Sequence, residues 1–66
     1  MDIMVNGQLH QLQENDTILQ LIHHLGLENK RLAVEVNLTI VPRSQFGTRI
    51  LTQGDKIEIV QAIGGG

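Results

Sequence analysis

At 66 residues the chain is long enough for one small domain, and without cysteine it lacks the disulfides that stabilise many extracellular domains of this size. An aliphatic core must therefore hold it together, since Phe46 is its single aromatic residue. A formal net charge of −2, with Lys30, Arg31, Arg43, Arg49 and Lys56 dispersed among acids, argues against a nucleic-acid footprint, which usually shows as a basic stripe.

The opening "MDIMVNGQ" has Asp2 where a signal peptide would carry basic residues, and its apolar run is too short to span a membrane. A soluble, cytoplasmic domain is expected, with neither a nucleic-acid nor a membrane partner. Met1, Ile3 and Val5 alternate with Asp2 and Met4, and Asn6-Gly7 suits the two positive-φ positions of a type I′ turn. A first β-hairpin follows. Downstream, Ile18, Leu21, Ile22 and Leu25 recur with helical spacing and define one apolar face. Thr17-Ile18-Leu19-Gln20 fits a capping box with Thr17 as N-cap, and Gly26 is placed to end the helix as its C′ residue.

"LAVEVN" returns to alternation, with Leu32, Val34 and Val36 on one face of a third strand. "NLTIVPR" predicts a turn and a short strand that Pro42 confines to an edge or an end, because proline cannot donate to a ladder. "SQFGTRILTQGD" reads as irregular connections around another short strand, with Gln53-Gly54-Asp55 as a tight turn, and "KIEIVQAI" reads as the last strand. One amphipathic helix covering one face of a mixed sheet makes this an α+β domain, and the element order suits a β-grasp arrangement over residues 1–66 with 63–66 as a flexible tail.

The side chains offer little independent chemistry. His10, His23 and His24 lack a metal-ligand spacing, and the adjacent pair diverges by about 100° on a helix. Glu14, Asp16, Glu28, Glu35, Asp55 and Glu58 fall in turns, a cap or polar faces and are expected as solvated surface charges. Ser44 has no convincing base beside it, and "GGG" lacks the lysine and following helix of a phosphate-binding loop. No catalytic residue, metal site or bound cofactor is expected.

Gly64, Gly65 and Gly66 stand apart because nothing in folding favours three glycines as a packed element. A terminal carboxylate on Gly66 is ionised at neutral pH and can attack the α-phosphorus of ATP in a partner's active site, giving an acyl-adenylate. Three glycines reach about 10 Å and present no side chain to a narrow channel. A frayed, idle end is the alternative.

Over essentially its whole length the chain resembles the sulfur carrier proteins of thiamin biosynthesis, the ThiS family of ubiquitin-like β-grasp domains. The resemblance is carried by "IMVNGQ", "DTILQLIHHLGL", "LAVEVNLTIVPRSQF", "QGDKIEIV" and the closing "IGGG". It implies that Gly66 is adenylated by an ATP-dependent, ubiquitin-activating-type adenylyltransferase. Sulfur from a cysteine desulfurase-linked donor would then convert it to a thiocarboxylate (1-thioglycine), which thiazole synthase would use. Gly64 and Gly65 would thread the tail into both partners, and relatives that end in two glycines leave the terminal pair intact here. The related molybdopterin-type carriers, and a ubiquitin-like interaction module that is never activated, are the alternative readings.

On the last strand, Lys56, Glu58, Val60 and Ala62 share a face that turns from charged to apolar toward the tail. Val60 and Ala62 are candidate partner contacts, and Met4 would join them if the first and last strands are neighbours.

Overall fold

The computed structural model describes residues 1–62; the remaining positions, among them Gly64, Gly65 and Gly66, lie outside the described residues. Strand β1 (Asp2–Val5) turns at Asn6-Gly7 into β2 (Gln8–Gln11), and both turn residues have positive φ, 50° and 80°, as a type I′ hairpin requires. Helix α1 (Ile18–His24) follows, then β3 (Leu32–Val36), β4 (Thr39–Val41), a 3-10 turn at Arg43–Gln45 and β5 (Lys56–Gln61). The five strands form one sheet in the order β2-β1-β5-β3-β4, parallel between β1 and β5 and antiparallel elsewhere. This is the β-grasp arrangement, with the last strand at the centre.

The helix is only seven residues long, so its ends matter as much as its face. At the N-terminus the capping box forms: Thr17 N–H donates to Gln20 Oε1 at 2.7 Å, and Gln20 N–H donates to Thr17 Oγ1 at 3.3 Å. The next two backbone donors are satisfied from far along the chain, Ile18 N–H by the Arg49 carbonyl at 3.1 Å and Leu19 N–H by the Phe46 carbonyl at 2.9 Å. At the C-terminus Gly26, at φ 70°, donates to the His23 carbonyl, and Leu27 N–H donates to that of Ile22. These are the paired bonds of a Schellman ending.

The segment 44–55 differs from expectation. In place of a short strand it contains the 3-10 turn, an isolated bridge between Thr17 and Ile50, and the turn at Gln53-Gly54, where Gly54 has φ 86°. The carbonyls of Phe46 and Arg49 are drawn to the helix N-terminus, and Leu51 N–H donates to the Asp16 carbonyl at 2.9 Å, so this backbone caps the helix and cannot extend a ladder. Its side chains Phe46 and Leu51 plug the core.

That core lies between the helix and one face of the sheet. Ile3, Val5, Val34, Val36, Ile57 and Ile59 come from the strands and Ile18, Leu21 and Ile22 from the helix, all nearly or fully buried. Burying a single aliphatic side chain contributes roughly 1.5–3 kcal/mol, so this layer is the dominant stabilising term. The opposite face of the sheet is covered by no element of the described chain. Among the described residues no helix is long and apolar enough to cross a membrane.

Candidate functional site

The site is the end of β5, where the described chain leads toward the glycines. Two neighbours hold β5 at its start. On one side β1 runs parallel, with Met4 beside Lys56 and Val5 beside Ile57, and Asn6 N–H donates to the Ile57 carbonyl at 2.9 Å. On the other side β3 runs antiparallel all the way, from Val36 opposite Ile57 to Leu32 opposite Gln61.

Beyond Ile57 the β1 side changes character. The turn at Asn6 carries the backbone away, and the Asn6 side chain takes the place of the next peptide: its Nδ2 donates to the Ile59 carbonyl at 3.0 Å, and its Oδ1 accepts from Ile59 N–H at 2.9 Å. A primary amide can make this reciprocal pair because it carries a donor and an acceptor side by side, as a peptide does. Past Ile59, β1 supplies no partner, and β5 continues along β3 alone until Ala62 N–H donates to the Arg31 carbonyl at 2.9 Å. One edge of the strand is thus open over its last residues. A second clip secures the start of β5. Asn37 N–H donates to the Lys56 carbonyl at 2.8 Å, Asn37 Oδ1 accepts from Lys56 N–H at 2.9 Å, and Asn37 Nδ2 donates to Asp55 Oδ1 at 2.9 Å.

Asp55 corrects the expectation of solvated carboxylates. It is 7% exposed and also accepts from Thr52 N–H at 2.8 Å and Thr52 Oγ1 at 3.2 Å, so it closes the turn before β5 and ties it to Asn37. His23 and His24 are exposed on the helix, as expected, and His23 Nδ1 lies 2.8 Å from Glu28 Oε2, whereas His10 on β2 is half-buried. Among the described residues no group of three or more His, Cys, Asp or Glu side chains could hold a metal ion.

The predicted docking residues separate. Val60 is 63% exposed and faces Ala33 across the β3 register, and Ala62 lies beside Arg31 at the strand's end. Met4, half-buried, sits beside Lys56 at the other end of β5 and opposite Leu9 of β2. Glu58 stands between them on the same face, so Met4 does not join Val60 and Ala62 in one patch. The parallel register decides this, and nothing local in the sequence reports it. Asn6 and Asn37 were legible only as turn residues; their partners lie 53 and 19 residues away, and no short-range signal marks them.

The ThiS family model matches residues 3–66. The chain belongs to the ThiS family. Among relatives, the sulfur carrier protein ThiS of Escherichia coli is 35% identical over 66 residues, which cover all of both chains. A thiazole synthase of Paramagnetospirillum magneticum is 39% identical over 66 residues, covering all of this ThiS-family chain and 20% of that protein, so the chain spans about one-fifth of the thiazole synthase it matches. The crystal structure of the thiamine biosynthesis protein ThiS from Geobacter metallireducens superposes with a TM-score of 0.84 at 26% identity, each chain fully covered.

Proposed function

We propose that this chain is the sulfur carrier for thiazole formation in thiamin biosynthesis, with the sulfur borne on the carboxyl group of Gly66. The observation that supports it most directly is the relation to the Escherichia coli sulfur carrier over the whole of both sequences, glycines included. A carboxylate oxygen of Gly66 attacks the α-phosphorus of ATP in an adenylyltransferase of the ubiquitin-activating type, releasing pyrophosphate and leaving an acyl-adenylate. The outer sulfur of a desulfurase-linked donor's persulfide then attacks the carbonyl carbon and AMP departs, and a second thiol attacks the donor's sulfur in the resulting acyl disulfide, forming a disulfide there and releasing the thiocarboxylate for thiazole synthase. The chain is the substrate of these enzymes and supplies no catalytic side chain. Gly64 and Gly65 contribute passage through a narrow channel, since they have no side chain to obstruct it. Val60 and Ala62, exposed at the end of β5, are positioned to meet whatever surface surrounds that channel.

The test is the intact mass of the full chain after incubation with ATP, the host's activating enzyme and a sulfur donor. The expected result is a gain equal to the exchange of one oxygen for sulfur, localised to Gly66 and absent when Gly65 and Gly66 are both deleted. An unchanged mass with an enzyme that demonstrably hydrolyses ATP overturns the proposal.

A further inference from the structure

Three of the chain's five Lys and Arg residues, the adjacent pair Lys30 and Arg31 and the more distant Arg43, lie near the end of the sheet from which β5 departs. Arg31 is tied to the strand's end directly, its carbonyl accepting from Ala62 N–H at 2.9 Å. Lys30 precedes it, and Lys30 and Arg43 line one groove of about 250 Å³ whose floor includes Leu27, Leu32 and Phe46. Leu32 is itself the partner of Gln61 in the β3 and β5 register, so the groove adjoins the root of the tail. All three cations are exposed, and among the described residues none has a carboxylate within ion-pair distance. One acid, Glu28, also lines the groove, and its carboxylate lies 2.8 Å from His23 Nδ1. Arg49 neither lines the groove nor bonds to the end of β5; its carbonyl accepts from Ile18 N–H.

The arrangement runs against the sign of the molecule. A chain of net charge −2 places three of its five basic residues beside the segment that leads to the glycines. Unpaired surface cations contribute little to stability, so folding does not account for gathering them here. Complementary charge around a docking point does raise the rate of productive encounter and orients the partner, and it is most effective close to the group that must be delivered.

We propose that Lys30, Arg31 and Arg43 form a cationic collar at the root of the tail that docks against an acidic rim on the enzyme receiving it. The proposal rests on the carrier reading for the identity of that enzyme. The groove that Lys30 and Arg43 line lies on the helix side of the sheet and Val60 on the bare side, so these two cations act apart from the apolar contact of Val60, while Arg31 sits beside Ala62 at the strand's end.

The test is stopped-flow association of the full chain with the host's ATP-dependent activating enzyme across a series of salt concentrations, with the thiocarboxylate mass gain followed in parallel. The variant Lys30→Gln/Arg31→Gln/Arg43→Gln is compared with Arg49→Glu/Gln8→Glu, which lowers the net charge equally at sites remote from the collar. Both sets are exposed, and circular dichroism checks that each variant folds; the single change Arg43→Gln, expected to show a smaller effect in the same direction, serves if the triple variant does not. The collar variant is expected to associate about tenfold more slowly at low salt, with a flattened salt dependence, while the control stays near wild type. Equal slowing of both variants, or of neither, with wild type gaining its sulfur, overturns the collar and leaves the carrier standing. Collar-dependent association without any mass gain overturns the carrier and leaves the collar standing. No association by wild type at all overturns both.

Discussion

Two asparagines do work here that their turn positions conceal. Asn6 sits at φ 50°, a conformation asparagine tolerates, and its amide then stands in for a strand peptide against Ile59. Replacing it by glycine keeps the backbone free to turn and removes only the clamp. Asn6→Gly is therefore expected to cost about 1–3 kcal/mol, read from urea denaturation, and to accelerate amide exchange at Ile59. Unchanged exchange there would show that β3 alone holds this part of β5. Asp55 illustrates the same point with a charge: its burial is sustained by three donors, from Thr52 and Asn37, and no buried side-chain polar atom among the described residues lacks a partner.

The hairpins differ in how well their turns suit them. Asn6-Gly7 places glycine at the second positive-φ position, whereas the turn between β3 and β4 places Leu38 there, at φ 71° and 84% exposed. A left-handed conformation costs a non-glycine residue roughly 1–2 kcal/mol, and glycine's greater freedom in the unfolded chain gives back about 0.5–1. Leu38→Gly is expected to stabilise the protein by about 0.5–1 kcal/mol, seen as a higher denaturation midpoint. A lower midpoint would mean that the exposed leucine makes a stabilising contact after all. The helix shows the opposite economy, since a seven-residue element too short to persist alone is closed at both ends by specific bonds.

For the molecule as a whole, the asymmetry of the sheet matters most. Its inner face is sealed by the helix and by Phe46 and Leu51, while its outer face carries Leu9, Ile40 and Val60, each more than half exposed, interrupted by Glu35, Lys56 and Glu58. A change on the outer face can therefore alter binding with little effect on folding. Val60→Asp is expected to shift the unfolding free energy by less than about 1 kcal/mol, because the side chain faces only Ala33 across the ladder, while weakening binding to the activating enzyme. Calorimetric titration against that enzyme measures the second effect, and equal affinity would remove Val60 from the interface.

Local chemistry in the sequence was enough to predict the first hairpin from Asn6-Gly7, the helix with both its ends from Thr17, Gln20 and Gly26, and the third strand from its alternation. These features are set by residues within a few positions of one another, where backbone preference and side-chain spacing act directly. The glycine run was equally visible, because an element that cannot pack stands out in a chain that otherwise must. Only the tertiary structure decided which residues surround β5. The 3-10 segment replaced an expected strand because the helix N-terminus claimed its carbonyls, Asp55 left the solvent to close a turn with Asn37, and Met4 parted from Val60 because the parallel register set it beside Lys56. The grouping of Lys30 with Arg43 has the same origin: a sheet brings together charges that sequence distance keeps apart, and periodicity along one strand carries no information about its neighbour.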